Sequence, residues 1–155
     1  MVPTQGSMMC IMQIIVGVVV SLLALLCWGG QAIVCFAPAS GARLGLSEVE
    51  AAVEPTFWAD VRGEALWDFL TLWTLVVAGV LLTVDHSAWA YFGLVGGGMY
   101  VYFAGRGIFT RIAMLRRGLR IGTAGGVRVV LTFLTIWGLT GLLTIAGALV
   151  SLHSP

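Results

Sequence analysis

The chain of 155 residues is 59% hydrophobic and only 10% charged, and its mean hydropathy is +1.02. A typical soluble domain has about 25% charged residues. The net charge of +1 gives no basic face for nucleic acid. The composition excludes a soluble globular enzyme, a disordered tail and a nucleic-acid-binding domain. It predicts a single membrane domain over residues 1–155, with the lipid bilayer as its surroundings and no nucleic-acid partner.

Four apolar segments in chain order predict the transmembrane helices. A helix needs about 20 mostly apolar residues to cross a hydrocarbon core of about 30 Å. The predicted spans are residues 8–32, 66–84, 87–107 and 129–152, with longer loops at 36–65 and 108–128. The first segment has no preceding basic residue and is longer than the core of a signal peptide, so we expect it to be retained. The predicted fold is an all-α membrane protein with four transmembrane helices in an antiparallel bundle.

The distribution of arginine predicts the orientation of the spans. All eight basic residues are arginines, and with four spans all of them fall on the side of the two longer loops. Cytoplasmic loops carry an excess of Lys and Arg, so this side is predicted to be cytoplasmic, with both termini outside. The lysine-free composition, rich in glycine and alanine, indicates a bacterial source, and hence the inner (cytoplasmic) membrane.

The two predicted cytoplasmic loops have opposite charge patterns. The first contains five acidic residues, and its Ser47 followed by Glu50 is a capping-box pattern that predicts a short amphipathic helix ending before Pro55. The second loop has no acidic residue. Its arginines are expected either to pair with the first loop or to contact anionic lipid headgroups or a partner protein; they are Arg111, Arg116, Arg117, Arg120 and Arg128.

Charged residues at the edge of the second and third spans form the candidate site. If the turn lies near residues 85–87, Asp68 and Arg106 are within about 3 Å of the same depth. Charged groups in spans usually pair, so we expect an Asp68–Arg106 ion pair, with Glu64 as a second acceptor and Tyr102 adding a hydroxyl. This pair either locks the helical hairpin or forms the entrance of a proton or ion pathway.

Small residues recur at helical spacing and predict close helix packing. The pattern GxxxG occurs at Gly93 and Gly97, and further stripes occur in the first and last spans. The packing residues are Gly93, Gly97, Gly17, Ser21, Gly141 and Thr144. These stripes fit contacts within one bundle and contacts between copies of a homo-oligomer equally well.

The sequence contains no recognisable catalytic or metal-binding constellation, and no cofactor is expected. The glycine-rich stretch 118–126 lacks the lysine and the preceding strand of a phosphate-binding loop, which favours an interhelical turn. The leading hypothesis is a non-catalytic interaction or accessory subunit of a membrane complex. One alternative is an oligomeric small channel or transporter with Asp68 and Arg106 at a charged cytoplasmic mouth. Another is a membrane-embedded enzyme that holds an anionic lipid or thiol substrate with its cytoplasmic arginines.

Overall fold

The computed structural model describes the backbone of residues 5–153 and the side chains from Cys10 onward. About 85% of the protein is helical, and the described residues contain no strand. The helices are α1 (Gln5–Phe36), α2 (Pro38–Arg43), α3 (Pro55–Thr71), α4 (Trp73–Thr83), α5 (Trp89–Arg116) and α6 (Ala124–His153), with a 3₁₀ turn at Glu50–Ala52. Both chain ends, predicted to face the outside, lie beyond the described residues.

Among the described residues, three stretches of helix are long and apolar enough to cross a membrane: Cys10–Phe36, Pro55–Thr83 and Ala124–His153. Their large apolar side chains are widely exposed, as at Leu26 (70%) and Leu143 (73%). A soluble protein rarely leaves so continuous an apolar surface uncovered. The protein is therefore an all-helical chain whose composition suits an integral membrane location.

The helix that contains the predicted third span is not among these three stretches. α5 has 28 residues, but glycine and tyrosine residues lower its mean hydropathy. Its small residues are covered by protein, since Gly93, Gly96 and Gly97 are all buried. The apolar surroundings of α5 come largely from neighbouring helices.

The second apolar stretch begins earlier than the predicted span 66–84. α3 starts at Pro55, which occupies a first-turn position where its missing N–H costs nothing. Only Leu72 separates α3 from α4, and Trp73 Nε1 and Thr74 Oγ1 donate to backbone carbonyls at this junction. Such side-chain bonds commonly accompany a local bend in a continuing helix. Residues 55–65, predicted as loop, are thus helical.

The short amphipathic helix predicted from Ser47 is reduced to the 3₁₀ turn. That turn is preceded by Val49, which provides no side-chain cap. The Ser47 hydroxyl is buried and makes no hydrogen bond. The prediction of a capping box is therefore wrong: Ser47 caps no helix, and the neighbouring Glu48 carboxylate accepts from the backbone N–H of Thr123, just before α6.

α1 and α4 approach closely through small residues. Gly17 and Ser21 lie against Gly79, where an added Cβ would be 2.6 Å from the Ser21 nitrogen. Beyond these residues, Gln13 Nε2 donates to Asp85 Oδ1 at 2.6 Å, in the connection between α4 and α5.

We call the end with residues 84–88 the turn end, and the opposite end, with residues 37–54 and 117–123, the loop end.

α5 and α6 pack along a second small-residue face. Gly93 lies against Thr144, and an added Cβ at Gly97 would be 2.8 Å from the Gly141 carbonyl oxygen. The structure therefore places all six sequence-identified packing residues in contacts within a single chain.

Aromatic donors from α5 and α6 tie both helices to α1. The buried Tyr100 hydroxyl donates to the Ala24 carbonyl at 2.8 Å. Trp137 Nε1 donates to the Leu23 carbonyl at 3.1 Å. These bonds fix the middle of α1 against the other helices and leave its loop-end part free to diverge from α6.

Candidate functional site

Three acidic side chains follow one face of α3 toward the interior. Asp60, Glu64 and Asp68 are spaced by four residues and so lie one helical turn apart on one side. The exposed fraction falls from 27% for the Asp60 side chain to 8% for Glu64, and Asp68 as a residue is 2% exposed. We call these residues, with Arg106 and Arg111 of α5, the charged cluster.

Arg106 pairs with Asp60 and Glu64 instead of the predicted Asp68. Its Nη2 lies 2.5 Å from Asp60 Oδ1, and its Nη1 lies 2.7 Å from Glu64 Oε1. Gly96 lies against Leu75, and counting along the two antiparallel helices from this contact puts Arg106 level with residue 65. Its long side chain then extends toward the loop end, where Asp60 and Glu64 lie.

Asp68 is left without a hydrogen-bonding partner for its inner oxygen. Oδ2 is buried and unpartnered, and the residue lies within an apolar helical stretch. Burying a polar group without compensation is costly, and ionisable residues in such segments are functional candidates by default. Asp68 therefore remains in the candidate site, but not as the partner of Arg106.

Arg111 belongs to the charged cluster, not to the exposed basic loop in which it was predicted. Its guanidinium lies 5.6 Å from the centre of the Phe57 ring, and Nη1 donates to the Gly107 carbonyl at 3.0 Å. A cation over an aromatic face is an attractive arrangement. With Arg106 it gives the cluster two guanidinium groups against three carboxyl groups.

Of the three tyrosines of α5, Tyr102 does not take the role predicted for it. Tyr102, expected to support Arg106, is 56% exposed on the outside of the helix, whereas Tyr100 is fully buried. Sequence reasoning also missed Asp60, because it placed this residue in a loop. The spacing of Asp60, Glu64 and Asp68 was the available signal for a shared helical face.

The predicted pairing between the loops occurs at one arginine. Arg120 Nε lies 3.3 Å from Glu54 Oε1, and the Glu54 backbone N–H donates to the Arg120 carbonyl. The other arginines of this region are exposed and have no ion pair among the described residues; they are Arg116, Arg117 and Arg128.

The glycine-rich segment before α6 holds an internal carboxylate. Glu48 Oε1 accepts a hydrogen bond from the Thr123 backbone N–H, and Thr123 Oγ1 caps α6 by accepting from the Gly126 N–H. The positive end of the helix dipole favours a negative group at this position. Gly122, at φ +126°, leaves room for the Glu48 side chain. This N-terminus is therefore occupied by the protein itself.

A small apolar core joins the two loop regions. Val53, Phe57 and Ile121 are buried together. With the Glu48 and Glu54 contacts, they fold residues 46–58 and 119–127 into one unit, which we call the loop cap. The loop cap holds the N-terminus of α3, and hence the charged cluster, next to the end of α5.

The chain matches no family model, no characterised protein and no solved structure. Among the described residues, no group of His, Cys, Asp and Glu side chains is arranged to hold a metal ion.

Proposed function

We propose that the chain is a four-span protein of the bacterial inner membrane, arranged as an antiparallel bundle with both termini outside. The exposed apolar surfaces of α1 and α6 support contact with lipid. The position of α5 as a membrane-length helix beside α4 and α6 supports a fourth span. The arginine content of the loop end supports its cytoplasmic location.

Within that membrane, we propose a non-catalytic role as an interaction or accessory subunit. The observation that carries this proposal is the ordered loop cap with exposed, unpaired arginines beside it. Arg116, Arg117 and Arg128 lie next to a folded unit in which two acidic side chains, Glu48 and Glu54, have other partners. A fixed group of unpaired cations suits an acidic surface on a larger membrane-protein partner, with anionic lipid headgroups as the surrounding contact.

The test compares partner retention by two variants after gentle purification from the native membrane. We expect one stoichiometric second protein with wild-type chain, and its loss with the double variant Arg116→Gln/Arg117→Gln. Arg43→Gln is the control, because Arg43 is also exposed at the loop end but belongs to α2 and not to the segment that contains Arg116 and Arg117. Native mass spectrometry reports both compositions. A chain that purifies only as a homo-oligomer contradicts the accessory role.

A small channel or transporter is the second candidate, and buried Asp68 specifically favours it. In this role the unpartnered carboxyl group takes part in moving a proton or cation past Arg106. Asp68→Asn keeps the shape of the side chain and removes its charge. Under this hypothesis the variant folds normally but loses ion flux in proteoliposomes, whereas an unaltered flux, or no flux with either protein, rejects the transport role.

A further inference from the structure

An open cleft of about 380 Å³ lies between α1 and α6 toward the loop end. Its size is within the range of small-ligand sites, at the lower end. The walls are mostly apolar and include Leu26, Gly30 and Val34 of α1 and Val130, Phe133 and Trp137 of α6. Two members of the charged cluster, Glu64 and Arg111, also line it. The cleft therefore combines a hydrocarbon-like wall with one ionic region.

The length of the cleft corresponds to one leaflet of a bilayer. Along α1 it extends from Leu23 to Val34, which at 1.5 Å per residue is about 16 Å. Half of a hydrocarbon core of about 30 Å is about 15 Å. Trp137 binds the Leu23 carbonyl and closes the deep end. The volume and length together suit a single hydrocarbon chain that enters sideways from the membrane.

The ionic region lies at the loop end of this cleft. Arg62 donates to the Val34 carbonyl, which places the adjoining turn of α3, including Glu64, beside the last lining residues of α1. The Glu64 side chain is 8% exposed, and its Oε1 is buried against Arg106 Nη1 at 2.7 Å. A carboxylate has several lone pairs, so Glu64, which lines the cleft, can accept a further donor while Arg111 offers N–H groups to an acceptor.

We propose that the cleft binds one phospholipid of the cytoplasmic leaflet with a zwitterionic head. One acyl chain lies between α1 and α6, the ammonium group donates to Glu64, and the phosphate accepts from Arg111. A head with only negative charge fits less well, because Asp60 and Asp68 lie in the same cluster as Glu64. This inference rests on the proposed placement in the membrane but not on the accessory role.

Two glycines of α1 provide a matched test of the cleft. Gly30 lines it, Gly29 does not, and an added Cβ at either position meets no atom within 4 Å. Gly30→Leu therefore adds a side chain to the wall of the cleft at a position with room for its Cβ, while Gly29→Leu adds the same side chain at a position that does not line the cleft. The proteins are incorporated into vesicles of equal phosphatidylethanolamine and phosphatidylglycerol content, extracted and stripped of loosely held lipid. Native mass spectrometry then counts the lipids that remain.

We expect one phosphatidylethanolamine per wild-type or Gly29→Leu chain, and at least about tenfold less with Gly30→Leu. A tenfold preference over phosphatidylglycerol is the size expected from one charge-assisted hydrogen bond. Equal retention by both glycine variants overturns the cleft as the site. A dimer that only Gly30→Leu dissociates identifies a second copy as the occupant and also overturns it.

The headgroup assignment is tested without altering the charged cluster. Phosphatidylcholine has the same phosphate but no N–H donor, so we expect the wild-type chain to retain it about tenfold less than phosphatidylethanolamine. Equal retention of the two lipids, or stronger retention of phosphatidylglycerol, refutes the Glu64 contact. Glu64→Gln is a supporting variant if it folds. A protein partner that stays bound to Gly30→Leu separates this result from the accessory role.

Discussion

The run Gly96-Gly97-Gly98 allows a sharp test of the helix packing, because three identical residues have three different surroundings. An added Cβ at Gly96 would lie 2.6 Å from the Leu75 nitrogen and 2.7 Å from its Cα. The same atom at Gly98 would meet nothing within 4 Å. We therefore expect Gly96→Ala to destabilise the protein and Gly98→Ala to leave it unchanged or slightly more stable.

The size of the destabilisation by Gly96→Ala can be estimated from the atoms that must move to admit the added Cβ. An ordinary contact is 3.4 Å or more, so α4 and α5 must separate by about 0.8 Å at Gly96, and the atoms in the way are backbone atoms that cannot rotate aside. Overpacking of this kind costs about 1–3 kcal/mol, and we take the upper end. Replacing Gly by Ala in a helix returns about 1 kcal/mol. The net loss is about 2 kcal/mol for Gly96→Ala, against a gain of up to about 1 kcal/mol for Gly98→Ala.

The assay is reversible unfolding in mixed micelles, with the free energy obtained from the dependence on denaturing detergent. Gly97→Ala provides an internal comparison. The atom nearest to its added Cβ belongs to the Ile145 side chain, which can move, but the Gly141 carbonyl oxygen lies at 2.8 Å. Equal stabilities for Gly96→Ala and Gly98→Ala would show that α4 and α5 do not approach each other at this position, and the register used to place Arg106 would fail with it.

Two further predictions concern the loop cap and the helix core. Gly122→Ala puts a side chain at φ +126°, 2.7 Å from the Glu48 Cδ. We expect a loss of about 1–3 kcal/mol of stability, confined to the loop cap. Amide hydrogen exchange at the start of α6 should become faster, and unchanged protection there would contradict the bound carboxylate. Tyr100→Phe removes the hydrogen bond to Ala24 and should cost about 1 kcal/mol in detergent unfolding, whereas Tyr102→Phe should cost nothing.

The helical class and the turn between α4 and α5 could be predicted because they depend on local apolar content. The start of α3 could not be predicted in this way. Asp60, Arg62 and Glu64 give residues 55–65 the composition of a loop, yet these side chains are accommodated on a helix. Arg62 reaches a backbone carbonyl of α1, and the two acids share Arg106. Such compensation depends on tertiary contacts, which hydropathy does not report.

The pairing within the candidate site could not be predicted for the same reason, since it also depends on tertiary contacts. Depth counted along a hairpin places Arg106 within about 3 Å of Asp68, and that separation is shorter than the reach of an arginine side chain. The sequence therefore identifies the cluster but cannot choose among three acids one turn apart. We attribute the choice to hydration, because a long cationic side chain gains by extending its guanidinium toward the end of the bundle. Arg106 then pairs with Asp60 and Glu64, and the deepest acid keeps an unpartnered oxygen. This unequal sharing is the reason that Asp68→Asn separates a transport role from a purely structural one.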